Sequence, residues 1–202
     1  MKSKRYLIFG SILLTSFAIY ISQHQKVPFE HMEVCFTPSQ KCTPLIIRNI
    51  RKAKNSIYVQ AYTWTSKDIS QALVEMKKKG VEIKIILDKV NMNKNNVIHF
   101  LQQNNINLMI DHVPGIAHNK IIVIDDHTVI TGSFNFSKAA DTKNVENVVK
   151  IQSKEVNQIY MKNWIKRQKF AQDIDNVVVS KNAYKPWKEN YKYHYKKHDR
   201  YK

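Results

Sequence analysis

Carboxylates are scarce in this sequence: 16 Asp and Glu stand against 33 Lys and Arg in 202 residues, a formal net charge of +17. The imbalance runs the whole length, with net charges of +3, +9 and +5 over residues 1–43, 44–167 and 168–202. Such a body draws in polyanions, whether nucleic acid, anionic lipid or another phosphate-rich partner. Cysteine is scarcer still. Cys35 and Cys42 are the two present, and no further ligand sits nearby at zinc spacing, which excludes a zinc site built on them. In an oxidising compartment the pair closes a small loop; in a reducing one it is two thiols. Internal repeats are missing from the body. Long apolar runs are missing too, except over residues 6–21, which is short for a spanning helix. Lys2, Lys4 and Arg5 precede that run, Ser22-Gln23-His24-Gln25 follow it, and Ser16 and Ala18 offer a small-x-small step. Residues 1–25 therefore read as a signal peptide or an uncleaved membrane anchor, and the expected location is secreted or periplasmic.

What is present suits one folded domain. Apolar residues make up 43% of the chain, enough for a core and too many for wholesale disorder. Strand-like and helix-like segments alternate over residues 26–172. Strands are expected at 34–36, 57–62, 81–87, 107–110 and 145–151, with a hairpin of 121–125 and 128–131 turning at Asp126-His127. Helices are expected at 43–54, with Thr43 as N-cap and Pro44 in the first turn, at 66–79 with Gly80 as stop, at 97–103 and at 154–170. That alternation predicts an α/β fold with a mixed β-sheet flanked by helices. Residues 173–202 differ: Val177-Val178-Val179 is a last strand or a linker. Beyond it Tyr184, Trp187, Tyr191, Tyr193, Tyr195 and Tyr201 interleave with Lys and Arg. This suits single-stranded nucleic acid, an anionic membrane surface or a solvated tail.

The chemistry concentrates in His118-Asn119-Lys120-Ile121-Ile122-Val123-Ile124-Asp125 and, past the hairpin, Gly132-Ser133-Phe134-Asn135. Strand alternation points His118 and Lys120 to one face, and Asp125 to the other. Gly132 lets backbone approach an anion, while Ser133 and Asn135 bring a hydroxyl and an amide back to the same end. Imidazole, ammonium, hydroxyl and amide make a phosphate-handling set that needs no metal or other cofactor. Glu146, at the start of a strand, is a carboxylate that can fix the tautomer of the imidazole. Asp111, His112, Asp126 and His127 are read as turn or surface residues rather than metal ligands. Trp64 either lines the substrate mouth or belongs to the core, and Asp88 ends its strand at the edge where α/β sheets bind ligands.

His-x-Lys-x4-Asp, six residues, then Gly-Ser-x-Asn is similar to the signature of the phospholipase D superfamily. With Pro114-Gly115-Ile116-Ala117 before it and Phe136-Ser137 after it, the stretch resembles the small bacterial branch that carries one motif per chain. That branch holds exported phospholipases D of intracellular bacteria and a periplasmic-type endonuclease. The resemblance implies His118 as the nucleophile that becomes phosphorylated. It further implies Lys120, Ser133 and Asn135 on the non-bridging oxygens, Glu146 behind the histidine, and Asp125 as a supporting partner.

In-line displacement puts the leaving oxygen opposite the attacking atom, so one imidazole cannot serve both sides of the phosphorus. No second motif is found: His194-Tyr195-Lys196 has its first two letters, but Tyr201 stands where Asp is needed. A homodimer contributing two copies of His118 is the expected solution. The expected activity is metal-independent phosphodiester hydrolysis, most directly phospholipid head-group release. Endonuclease action on DNA or RNA is the alternative, and a catalytically idle polyanion-binding protein is a third reading.

Overall fold

Apolar side chains alternate along Ser56–Ala61 so that Ile57, Val59 and Ala61 turn to one side and Tyr58 to the other. The same alternation organises a whole sheet in the computed structural model, which describes residues 27–92 and 96–175. In chain order the strands are β1 (His31–Thr37), β2 (Ser56–Ala61), β3 (Glu82–Asp88), β4 (Asn107–Asp111), β5 (Lys120–Ile124), β6 (Thr128–Gly132), β7 (Glu146–Gln152) and β8 (Ala171–Asp173). They form one sheet in the order β1-β7-β6-β5-β2-β3-β4-β8. The β2–β3 and β3–β4 pairs are parallel and the others antiparallel, so the sheet is mixed as expected.

Helices α1 (Thr43–Ile50), α2 (Lys67–Lys78), α3 (Asn96–Gln103) and α4 (Lys138–Thr142) pack on the inner face, where Ile46, Leu73, Leu101 and Ala140 share a core with Val59, Ile85, Ile122 and Val148. On the outer face α5 (Lys154–Gln168) lies across the middle strands. Its Trp164 packs with Ile86, Met109 and Tyr58 and donates its indole N–H to the Val59 carbonyl at 3.0 Å. The Ser66 hydroxyl oxygen caps α2 by accepting from the Ile69 N–H, and Ser153 caps α5 by accepting from Val156. Cys35 and Cys42 are joined in a disulfide that ties β1 to the start of α1.

Several details differ from the sequence reading, among them the short helix α4 and the burial of Asp111 within β4. Thr43 does not cap α1; it is the first helical residue, and the Asp141 carboxylate accepts from the backbone N–H groups of Cys42 and Thr43 at 2.7 and 2.9 Å. A long-range carboxylate therefore satisfies donors that a local hydroxyl was expected to meet. The helix also stops at Ile50 rather than running to residue 54. Finally, β8 adds an unexpected edge strand against β4. No helix among the described residues is long and apolar enough to cross a membrane. The apolar run at 6–21, the Val177–Val179 strand-or-linker and the aromatic-basic tail from Tyr184 lie outside the described residues.

Candidate active site

Register brings the singled-out residues to one end of the sheet. Lys120, the first residue of β5, pairs with Ala61 at the end of β2; Gly132, the last of β6, pairs with Val148; and Glu146, the first of β7, pairs with Thr37 at the end of β1. His118 stands two residues before β5 with its side chain exposed. The Lys120 ammonium, by contrast, is buried. It donates to the His118 carbonyl at 2.7 Å and lies 5.2 Å from the centre of the Tyr62 ring. Burial pushes the Lys120 pKa below the ordinary lysine value, and the negative charge of Glu146 opposes that shift.

The turn after β6 is shaped by glycine. Gly132 has φ +145°, and a Cβ there would fall 2.2 Å from the Asn147 carbonyl oxygen, a clash with backbone that no larger residue escapes. Ser133 is held next to it: its hydroxyl oxygen accepts from the Asn147 backbone N–H at 3.0 Å, and its own N–H donates to the Asn147 carbonyl at 3.2 Å. The hydroxyl proton stays available to a ligand oxygen. Asn135 is half-buried, and its Oδ1 has no partner among the described residues. A buried amide atom left unpaired is costly, and such atoms concentrate where ligands bind.

Glu146 and Asp125 each have partners of their own. The Glu146 carboxylate accepts from the Asn144 side-chain amide at 3.0 Å and acts on Lys120 through its charge; it makes no hydrogen bond to His118 of the same chain. Asp125 is at the far end of β5, about 16 Å from Lys120 at the usual rise per residue. Its carboxylate accepts from three consecutive backbone N–H groups, Lys54 at 2.9 Å, Asn55 at 2.8 Å and Ser56 at 2.9 Å. Asp125 thus acts as a clamp that sets where β2 begins. Trp64 is fully buried and donates to the Ser70 hydroxyl at 2.8 Å, so it belongs to the core and does not line a mouth.

Other residues support the site. The buried Asp88 carboxylate accepts from the Ala117 N–H at 2.6 Å, fixing the residue just before His118, and from Val90 at 2.8 Å. Lys89 donates to the Val113 carbonyl at 3.3 Å, and Asp111, paired with Arg167, accepts from the Val113 N–H. The loop leading to His118 is therefore pinned at both ends. Among the described residues no group of three or more His, Cys, Asp or Glu is placed to hold a metal ion. Asp88→Ala is expected to leave two partly buried N–H groups without their carboxylate, lowering stability by about 1–3 kcal/mol. It should also lower kcat by more than KM rises, read from urea unfolding and steady-state kinetics of the same variant.

Buried ammonium, exposed imidazole and a braced hydroxyl share one competence, the handling of an anionic phosphorus centre, and the domain that carries them is a phosphoric diester hydrolase. The family profile described as "Cardiolipin synthase, PLD-like domain" matches residues 46–169. The chain is 43% identical over 159 residues to a phospholipase D of Rickettsia typhi, covering 76% of this chain and 78% of that one. It is 46% identical over 138 residues to a phospholipase D of Rickettsia conorii, covering 68% and 69%. Among solved structures, Nuc from Salmonella typhimurium, described as a phospholipase D family member, superposes with a TM-score of 0.67 at 36% identity, over 71% of this chain and 97% of that one. NucT from Helicobacter pylori shares the fold, with a TM-score of 0.65 at 23% identity over 71% and 98%. The chain belongs to the phospholipase D superfamily.

Proposed function

We propose that the protein cleaves phosphodiesters through a phosphohistidine on His118 and that its substrate is a phospholipid, releasing the head group. The observation that carries the chemistry is that the exposed His118 and the buried Lys120 stand at the same end of the sheet as the turn bearing Ser133 and Asn135. His118 attacks phosphorus while the bond to the leaving oxygen breaks, and Lys120, Ser133 and Asn135 hold the non-bridging oxygens. The leaving oxygen takes its proton from a second imidazole, the partner's His118. That neutral imidazole then removes a proton from water, which attacks phosphorus and breaks the P–N bond. The relatives named phospholipase D support the lipid reading. Cleavage of nucleic acid is the second reading, favoured by the charge of +17. Phosphatidylcholine vesicles and single- and double-stranded DNA, offered in parallel to the purified protein, decide between them by which is turned over.

The second copy has a face to dock on. On β1, Met32, Val34 and Phe36 point outward and are 49%, 40% and 57% exposed. Across the β1–β7 register they stand beside Ile151, Val149 and Asn147, and the stripe ends at Val145, which is 87% exposed. Nothing described covers this apolar strip, because α5 lies over the middle of the sheet. It runs up to Glu146, at the catalytic end, so a copy seated there comes to lie beside the residues that need a second imidazole. An exported location, in an oxidising compartment, accords with the Cys35–Cys42 disulfide.

The depressed Lys120 pKa has a consequence for pH dependence. A cation that burial disfavours loses its proton at lower pH, so the grip on phosphate is lost as pH rises through that lowered value. The alkaline limb of kcat/KM is therefore expected below pH 10.5, the unperturbed lysine value. Lys120→Arg should remove that limb while running more slowly throughout; a limb that persists in the arginine variant would assign it to another group.

A further inference from the structure

We propose that Tyr62 is the positioning residue of this site, its ring setting the aim of the His118 imidazole and holding the Lys120 ammonium in place. The proposal rests on the reading of His118 as nucleophile and adds a residue that the signature does not contain. Tyr62 follows directly on β2, whose last residue, Ala61, pairs with Lys120. Its ring centre lies 4.5 Å from that of His118 with the planes 57° apart, and 5.2 Å from the Lys120 ammonium. One aromatic ring thus stands beside both groups on which the chemistry depends.

The backbone around Tyr62 is held as tightly as the ring is placed. Asn91, buried, donates its side-chain amide to the carbonyls of Tyr62 and Asp88 and accepts from the Trp64 N–H at 3.2 Å. Three and four residues on, the N–H groups of Thr65 and Ser66 both donate to the Phe136 carbonyl at 2.9 Å, next to Asn135. His118 is fixed differently. Its backbone is tied through Ala117 to Asp88 and through its carbonyl to Lys120, yet its imidazole makes no hydrogen bond among the described residues. Among the described residues, Tyr62 is then the aromatic contact that limits the rotamers of the attacking ring.

Physical chemistry gives both contacts a purpose. An attacking nitrogen must arrive in line at roughly 3–3.5 Å, and an exposed side chain free to rotate spends little time there. A tilted aromatic pair removes that freedom without a hydrogen bond to compete for the imidazole nitrogens. For Lys120 the π face stabilises a buried cation without neutralising it, as a directly bonded carboxylate would, so its charge remains available to a phosphate oxygen.

The test uses the full chain with bis(4-nitrophenyl) phosphate, a diester that is neither lipid nor nucleic acid, and follows kcat, KM and thermal unfolding. Tyr62→Ala and Tyr62→Leu should each lose roughly 10- to 100-fold in kcat. KM should move by no more than about threefold, and Tyr62→Phe should stay within about threefold of the parent in both parameters. A Phe variant as impaired as the Ala variant overturns the proposal, because the hydroxyl and not the ring would then matter. Parental kcat in Tyr62→Leu overturns it as well, and that variant keeps the bulk that folding needs. His118→Ala is assayed alongside. Turnover surviving in it removes the underlying nucleophile reading, whereas an inactive His118→Ala beside a fully active Tyr62→Ala removes the role of Tyr62 alone.

Discussion

Replacing His118 with alanine is expected to lower turnover roughly 10⁴-fold or more, because under the proposed mechanism the substitution removes the attacking atom itself. The fold should be untouched, since the imidazole is exposed and makes no hydrogen bond among the described residues. Lys120, Ser133 and Asn135 remain, so inhibition of the parent by inorganic phosphate and binding of phosphate to the variant should be of similar strength. That pairing separates an enzyme from a protein that merely grips phosphate, for which His118→Ala would cost little. Mixing carries the argument further. If each site draws one imidazole from each of two chains, equal amounts of parent and variant, allowed to exchange subunits, should retain about one quarter of the activity. Independent chains would retain about half.

Much of this architecture was readable before any coordinates. Alternation in 57–62 and 81–87, the Ser66 cap and the Gly80 stop announced β2, α2 and β3, because hydrophobic period and capping are local properties. The signature residues were legible for the same reason: fixed spacing on one hairpin forces proximity. The misreadings share the opposite cause. Asp141 caps α1 from 98 residues away, and no local pattern shows that a distant carboxylate will displace Thr43 from that task. β8 is Ala171-Gln172-Asp173, three residues without strand character that become a strand only because β4 offers an open edge. Asp125 was read from the signature as a supporting partner, but what it supports was hidden, because its three backbone donors come from a segment some 70 residues earlier. Tyr62 and Asn91 carried no signal of their own. A tyrosine after a strand reads as ordinary sheet composition, and only the β2–β5 register places it against His118. Asp88 was half legible: its position at a strand end was noticed, whereas its bond to Ala117 required the loop to be seen closing over it.

The strip on the outer face of β1 and β7 leads to the second large effect. Val34→Asp combined with Phe36→Asp is expected to give a folded monomer that has lost roughly 10³-fold or more of its turnover, as loss of the second imidazole would cause under the proposed mechanism. Both side chains are exposed in the single chain, so charging them should change its intrinsic stability little, within about 0.5 kcal/mol each. Between two chains the same carboxylates are costly: four of them would be buried in an apolar contact without cationic partners. The disulfide and the inner core lie on the opposite side of β1, which leaves them outside the reach of the change. Sedimentation and activity must therefore fall together. A variant that sediments as a monomer yet turns over at the parental rate would show that one His118 suffices, and a dimer that survives both aspartates would move the interface to another face. Charge on the catalytic rim gives the control. Val145→Lys, at the end of the strip nearest Glu146, should weaken association more at low salt than at high salt, since like charges meeting across a two-fold axis are screened by ions.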